Sequence, residues 1–508
     1  MAQSQKPKRC GAGRAWFLTW FTWCTVSDYE LLVKRIGLTG LASLVVSLSP
    51  VLLLPILTKI LTIQDYGIWT LIVVTASFVP MIVLLGLPNS MVRFLAPVKN
   101  KDEIREGYYS IALVVLCAAF VSSCFLLFFG HSVATHLLGG NRTVALLLPL
   151  ITFVAAYNYV PQTYFRTFQQ AKRYSIVSLL QAALYVILIA AFVVVGLGLA
   201  GAAFAYLISL LVTALISTYY VSRDIGVTMP SFSRLKAYLK YGLPFVPSSV
   251  SSWALGVSDR YIITFFLGVA WGGYYSPGYQ LGWTISLLAT PFTILVPTAL
   301  YEHYDANRIA EVKTIMRYSI KYFLAVAVPA AFVFSVLSKP ILLVLTTPAI
   351  AANGYLITPF TAFSSLLFGV WSIIMIVLTF EKRTAIIGTM WILGATLNIG
   401  LNLVLVPYFG IIAAALTTVL GYGFVFGVTA IYSVRHMMID VDFGFVLKSI
   451  FASIVVSSFV LVWHASGFLS VSALVVICAA AYTAILFVLK GFTASEIRFF
   501  SGFLARQR

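Results

Sequence analysis

The chain has 508 residues, of which 61% are hydrophobic and only 9% charged, and its mean hydropathy is +0.99. Soluble globular proteins carry about 25% charged residues, so this composition excludes a water-soluble fold. It predicts an all-α polytopic membrane protein whose spans each cross a hydrocarbon core about 30 Å thick.

The chain begins with a basic arm, residues 1–35, which contains a tryptophan-rich stretch from Trp16 to Cys24. This stretch is too short to span a membrane and predicts an interfacial anchor, with a poor signal peptide as the alternative. Apolar windows of about 20 residues then predict fourteen spans, at 36–61, 66–87, 107–129, 144–166, 174–197, 200–222, 241–267, 273–299, 318–337, 355–379, 384–406, 410–434, 447–464 and 471–489.

Two sequence neighbourhoods recur about 210 residues apart. The segment from Gly198 to Ala205 resembles that from Gly410 to Thr417, and Tyr66-Gly67-Ile68-Trp69 resembles Gly272-Gly273-Tyr274-Tyr275. Tight helix crossings alone could explain the small residues. The shared offset instead favours a parallel duplication, which would place a substrate between two helix bundles.

The duplication predicts four parts: the arm, an N-terminal lobe of six helices, a C-terminal lobe of six helices, and two additional helices with a cytoplasmic tail. Their ranges are 1–35, 36–222, 223–434 and 435–508. Prolines in the first span of each lobe, at Pro50, Pro55, Pro244 and Pro247, predict kinks about which the lobes could rock, or static structural kinks.

The basic residues indicate the orientation. With the N-terminus in the cytoplasm, 29 of the 33 Lys and Arg residues lie on the inner side. The exceptions are Lys59, Arg142 and Lys339 outside, and Arg260 within a span. This asymmetry follows the positive-inside rule, predicts that both termini are cytoplasmic, and accounts for the net charge of +18 without nucleic acid.

Asp259 and Arg260 lie inside the predicted seventh span. Burying a charge at this depth costs at least about 2.5 kcal/mol, so each residue should face a wet cavity or a partner. Neighbouring helical residues point about 100° apart, so we expect the two to face different partners rather than each other. One hypothesis is that Arg260 binds a phosphate while Asp259 holds it in place; the other is an interhelical clamp.

Four further residues are candidates for substrate binding. Arg93 and Arg166 end the second and fourth spans on the cytoplasmic side, where they could bind substrate or extend towards lipid headgroups. Asn398 and Asn402 are one helical turn apart, so their amides could bond a sugar or a neighbouring helix.

No catalytic constellation is evident, since the chain has neither a P-loop nor an HExxH motif. The five cysteines are scattered, odd in number and without a CxxC pair, which predicts no disulfide framework and no metal site. We therefore expect a non-enzyme without a cofactor.

The chain resembles the polysaccharide biosynthesis flippases, the O-antigen and exopolysaccharide type of the superfamily that includes the multidrug and toxin extrusion transporters and the lipid II flippases. The segments that carry the resemblance are Asp65 to Trp69, Leu85 to Leu87, Met91 to Phe94, Tyr241 to Pro244, Ser258 to Ile262, Gly273 to Ser276, Asn398 to Leu403 and Val406 to Gly410.

The resemblance implies a V-shaped pair of lobes in the cell membrane that moves an isoprenoid pyrophosphate- or phosphate-linked oligosaccharide by alternating access. Its partners would be this lipid-linked substrate, membrane lipid, and the glycosyltransferases and polymerase of the same pathway. The first alternative is an ion-coupled exporter of drugs or cations, which would need an acidic residue at depth in spans one to six. The second, a membrane glycan polymerase, would need a large outer loop.

Overall fold

The structure is a computed structural model that describes residues 26–381, 383–437, 440–463, 467–493 and 496. The predicted anchor from Trp16 to Cys24 lies outside these residues. Every regular element in the described ranges is a helix, which confirms the all-α polytopic fold.

The first half of the chain forms eight helices: α1 Val26–Ile60, α2 Ile63–Val83, α3 Leu87–Leu95, α4 Lys101–Phe128, α5 Gly130–His136, α6 Arg142–Thr167, α7 Ala171–Val194 and α8 Gly198–Ile225. The remaining helices are α9 Leu235–Gly242, α10 Phe245–Val257, α11 Asp259–Leu267, α12 Val269–Trp283, α13 Thr290–Asp305, α14 Ile309–Val336, α15 Ser338–Leu345, α16 Pro348–Gly354, α17 Ile357–Ile374, α18 Ile376–Phe380, α19 Thr384–His436, α20 Phe443–Val462 and α21 Phe468–Val488. A 3₁₀ helix, Thr284–Ala289, joins α12 to α13.

Eleven of the described helices are long and apolar enough to cross a membrane. The difference from the predicted fourteen arises at three places. The predicted seventh span is divided among α9, α10 and α11, and the predicted eighth between α12 and α13. The predicted eleventh and twelfth spans are joined in α19, where Gly410 has non-helical dihedral angles (φ 65°, ψ −150°). The count of fourteen stays a prediction.

Proline chemistry explains two of these interruptions. α10 begins directly after Pro244, whose ring removes a backbone N–H donor and crowds the preceding turn. The 3₁₀ segment precedes Pro291, which likewise cannot donate to the helix before it. By contrast, α1 continues through Pro50 and Pro55 as one helix. The prolines therefore coincide with a helix break in the predicted seventh span but not in the predicted first span.

The helices pack in two groups. In the first half, α1, α2, α4, α6, α7 and α8 contact one another. All of them except α4 contribute to a buried cluster that includes Leu53, Ile72 and Val144. A second group of helices in the second half of the chain also contact one another: α10, α11, α12, α14, α17 and α19. The main contact between the groups is made by α2, which packs along α12 and α10, while α3 packs against α9.

A buried ion pair adds to the apolar packing that holds the last two helices against α14. Nζ of Lys321 lies 2.9 Å from Oε1 of Glu496 and 3.5 Å from Oδ2 of Asp442. Burial opposes ionisation of Glu496, but the Thr493 N–H and the Lys321 ammonium outweigh it and lower the pKa of this carboxyl. The pKa of Asp442 is lowered too, because the Phe445 N–H and Lys321 outweigh the effect of its burial. Both carboxylates are therefore ionised at neutral pH.

Candidate functional site

Asp259 and Arg260 pair with each other. The first residue of α11 is Asp259, and its Oδ1 accepts hydrogen bonds from the backbone N–H of Arg260 at 2.9 Å and from Nη1 of Arg260 at 2.8 Å. The expectation that they face different partners is therefore wrong. Helical side chains lean towards the N-terminus, so the long arginine folds back past Asp259 to the carbonyl oxygen of Gly256, 2.9 Å from Nη1.

Two tyrosines of α12 enclose this pair. The Tyr275 hydroxyl donates a hydrogen bond to Oδ2 of Asp259, and the Tyr279 ring centroid lies 3.9 Å from the Arg260 guanidinium carbon. Only 6% of Arg260 and 1% of Asp259 are exposed. This geometry is that of the interhelical clamp, since it ties α11 to α12. A phosphate would reach the guanidinium only after Tyr279 moved aside.

Asn398 and Asn402 are also buried within helix contacts. Nδ2 of Asn402 lies 3.2 Å from Oδ1 of Asn398, and Nδ2 of Asn398 lies 3.5 Å from Oγ1 of Thr417, beyond the break at Gly410. The structure thus brings the two amides together, as their spacing indicates, and uses them to join the two halves of α19. Oδ1 of Asn402 has no hydrogen-bond partner among the described residues.

The two arginines at span ends are exposed. Arg93 lies in the last turn of α3. Arg166 lies in the last turn of α6, with Nη2 3.3 Å from Oγ1 of Thr163 and its guanidinium 5.8 Å from the Tyr174 ring centroid. Because α3 packs against α6, both arginines belong to one end of the first helix group, apart from Arg260.

The first crossing between the helix groups lies just beyond the end of α2. Gly86 has φ +68°, and a Cβ added there would lie 2.0 Å from the carbonyl oxygen of Gly242. A Cβ on Gly242 would lie 2.8 Å from the carbonyl oxygen of Leu85. The two backbones are in direct contact, so any side chain at either glycine would separate them.

Polar contacts surround the first crossing. The Ser90 hydroxyl donates to the carbonyl oxygen of Tyr238 at 2.7 Å, and Arg234 forms an ion pair with Glu103 of α4. A cavity of about 280 Å³ lies beside this ion pair. The contacts join α3 and α4 to the segment around α9, which closes this end of the boundary between the groups.

The second crossing lies at the opposite end of α2 and joins the two repeated segments. A Cβ on Gly67 would lie 2.2 Å from the carbonyl oxygen of Val269, and one on Gly273 would lie 2.6 Å from that of Ile63. Gly67 and Gly86 are 19 residues apart, about 28 Å along a helix, so the two crossings close opposite ends of the same boundary.

Aromatic and hydroxyl side chains fill the boundary between the crossings. The Trp253 ring stacks on Phe78 with centroids 4.4 Å apart, and its Nε1 donates to Oγ of Ser77 at 3.0 Å. The Tyr261 hydroxyl lies 2.7 Å from Oγ1 of Thr75. These are discrete side-chain contacts rather than backbone crossings.

Two features were missed from the sequence. One is the first crossing, because nothing in the sequence relates Gly86 to Gly242. The other is a row of amides at Asn158, Gln162 and Gln181, in which Asn158 and Gln162 have the same i, i+4 spacing as Asn398 and Asn402. Among the described residues, no group of three His, Cys, Asp or Glu residues could hold a metal ion.

No curated protein matches the sequence significantly. Among solved structures, the chain is similar to a lipid II flippase, MurJ, in an inward closed conformation, with 14% identity, a TM-score of 0.73 and coverage of 90% of this chain and 99% of that chain. It is also similar to an inward-facing multidrug resistance MATE family transporter, with 17% identity, a TM-score of 0.59 and coverage of 80% and 94%. A MATE complex with MaD3S has 16% identity, a TM-score of 0.56 and coverage of 80% and 96%.

These likenesses establish the fold, which is similar to that of the lipid II flippase and of the MATE family transporters. The family profile described as polysaccharide biosynthesis protein matches residues 32–299, which is more than half of the chain. The protein therefore belongs to the polysaccharide biosynthesis protein family.

Proposed function

We propose that this chain translocates a lipid-linked oligosaccharide, carried on an isoprenoid pyrophosphate or phosphate, across the cell membrane by alternating access. The product would serve surface polysaccharide or glycan assembly. The observation that carries the proposal is the pair of glycine crossings at opposite ends of α2. Two contacts of this kind can open one at a time, which alternating access requires.

The proposed lobes are residues 36–222 and 223–434, with residues 435–508 as an attached pair of helices and tail. The basic end, at the first crossing, would face the cytoplasm, and both termini would lie on that side. Membership in the polysaccharide biosynthesis family supports a saccharide substrate, and the lipid II flippase named among the similar folds supports a lipid carrier. Glycosyltransferases and a polymerase would be the pathway partners.

In this mechanism Arg93 and Arg166 gather the anionic headgroup at the cytoplasmic end. Both are exposed near the first crossing, and arginine presents several donors to phosphate oxygens. The saccharide would enter the protein beside the first crossing while the isoprenoid remains in the bilayer. Asp259 and Arg260 would hold α11 to α12 as the groups move, with phosphate contact by Arg260 limited to a state in which Tyr279 has swung away.

The alternative of an ion-coupled drug or cation exporter has less support. The acidic residues of the described first group lie in the first two turns or the last turn of their helices. They are Asp28 and Glu30 of α1, Asp65 of α2, Asp102, Glu103 and Glu106 of α4, and Asp224 of α8. Asp224 already forms an ion pair with Arg173. The polymerase alternative has no comparable support, because the described helices are joined by short segments.

A binding measurement tests the proposal. Purified protein in nanodiscs is titrated with a polyprenyl diphosphate tetrasaccharide and, separately, with tetraphenylphosphonium. We expect saturable binding of the glycolipid, weakened about tenfold by an Arg93→Gln/Arg166→Gln double variant, which corresponds to one charge-assisted contact. Arg142→Gln, at the other end of α6, is the matched control and should leave affinity unchanged. Binding of the phosphonium cation alone would favour the exporter and contradict the proposal.

A further inference from the structure

A row of amide side chains runs along α6 and reaches across to α7. Asn158 and Gln162 are one helical turn apart on α6, and Arg166 follows one turn later on the same face. We propose that this amide row, defined as Asn158, Gln162 and Gln181, is a subsite for the uncharged saccharide of the substrate. The inference rests on the proposed function and identifies where the sugar binds.

One oxygen holds the amide row together. Oε1 of Gln181 accepts hydrogen bonds from Nε2 of Gln162 at 3.0 Å and from Nδ2 of Asn158 at 3.4 Å. Nδ2 of Asn158 also lies 3.2 Å from Oγ1 of Thr213 in α8. The helix α6 packs mainly on α8, and α7 packs on α1 and α8, while α6 and α7 make little contact with each other. These side chains therefore bridge two helices that are not closely packed together.

This arrangement leaves hydrogen-bonding capacity unused. Oδ1 of Asn158 is buried and has no partner among the described residues, and the structure gives neither Oε1 of Gln162 nor Nε2 of Gln181 a bond. A buried polar atom without a partner costs about 1–3 kcal/mol. Gln162 and Gln181 are only half-buried, so Oδ1 of Asn158 is the atom of the row that carries this cost. A donor hydroxyl of a ligand between α6 and α7 would satisfy it.

The chemistry of these groups fits sugar hydroxyls. Each free amide atom can accept from or donate to a hydroxyl, which is itself both donor and acceptor. The amide row carries no charge, so it favours an uncharged saccharide over an acidic one. Arg166 lies about 12 Å along α6 from Asn158, so a phosphate at the arginine would place the attached sugar within reach of the amides.

The test compares two probes on one set of variants. Affinities for a polyprenyl diphosphate bearing a neutral tetrasaccharide and for the same lipid without sugar are measured in nanodiscs. We expect Gln162→Met/Gln181→Met to weaken binding of the glycolipid about tenfold and that of the sugar-free lipid less than about twofold. Gln280→Met, which removes a half-buried helical amide elsewhere, is the matched control and should change neither. Arg166→Gln should weaken both.

Equal losses for both probes, or no loss for either, would overturn the saccharide subsite and leave the amide row as a structural bridge. If wild-type protein binds neither probe, the proposed function itself fails, which is a separate outcome. Should the double variant not fold, Gln162→Met alone removes one of the two donors to Gln181 and supports the same comparison.

Discussion

Replacing Gly67 with alanine should hold the second crossing open. The added Cβ would lie 2.2 Å from the carbonyl oxygen of Val269. Ordinary van der Waals contact begins near 3.4 Å, so the backbones must separate by about 1.2 Å. Gly273 meets the backbone of Ile63 on the same surface. Because both close contacts are with backbone atoms, no flexible side chain can move to absorb the separation. Overpacking of this kind costs about 1–3 kcal/mol, so the closed state should lose about 5- to 150-fold in population.

Distances between spin labels report the change. With the five native cysteines replaced by serine, labels at Ile60 and Trp271 span the second crossing, and labels at Val92 and Lys236 span the first. We expect Gly67→Ala to lengthen the mean Ile60–Trp271 distance and to leave or shorten the Val92–Lys236 distance. Gly242→Ala should produce the opposite pattern, since its Cβ would meet the first crossing instead.

The control is Gly400→Ala, a helical glycine of α19 whose Cβ would meet nothing within 4 Å. It introduces the same methyl group and the same gain in helix propensity, up to about 1 kcal/mol, without touching a crossing. If Gly67→Ala and Gly400→Ala gave the same distance distributions, a side chain at Gly67 would not hold the second crossing open.

Two further predictions concern buried charges. Asp259→Asn should lower the free energy of unfolding by about 3–5 kcal/mol, because it leaves Arg260 buried without its counterion. Adding Arg260→Met should restore much of the loss. A single variant as stable as wild type in a melting assay would contradict the clamp. Lys321→Met should weaken the attachment of the last two helices to α14, which apolar packing also holds. Since the pKa values of Asp442 and Glu496 are lowered in the folded protein, their stabilising contribution is present above their unfolded values of about 4 and lost as the pH falls through the lower folded values. The melting-temperature difference between wild type and Lys321→Met should therefore shrink below about pH 4, and a difference that grew on acidification would oppose this assignment.

The sequence predicted the class of fold well because lipid imposes a simple rule. Apolar stretches of membrane length must be helical, so most long helices lie near their predicted positions. The predicted spans and the observed helices differ where local chemistry interrupts a helix: at Pro244, at Ser258 and before Pro291. Hydropathy averages over these breaks, because a 20-residue window does not register one missing hydrogen bond.

The candidate site was predicted less completely. Spacing along one helix correctly brought Asn398 next to Asn402. The 100° angle between neighbouring helical residues predicted that Asp259 and Arg260 would not pair. They do pair, because the long arginine side chain folds back to the carboxylate. The meeting of Gly86 with Gly242 depends on how two distant helices cross, and such long-range pairings are not encoded in any local pattern.

Lipid translocation in proteoliposomes measures the proposed transport itself. Vesicles containing purified protein and a fluorescent polyprenyl diphosphate tetrasaccharide are treated with a membrane-impermeant quencher, and the accessible fraction is followed with time. We expect label to move between leaflets faster in vesicles with wild-type protein than in empty vesicles. The Gly67→Ala and Gly242→Ala variants, each with one crossing held open, should move label more slowly than wild type. Translocation no faster than in empty vesicles, together with uptake of a cationic dye by the same vesicles, would contradict the proposed function.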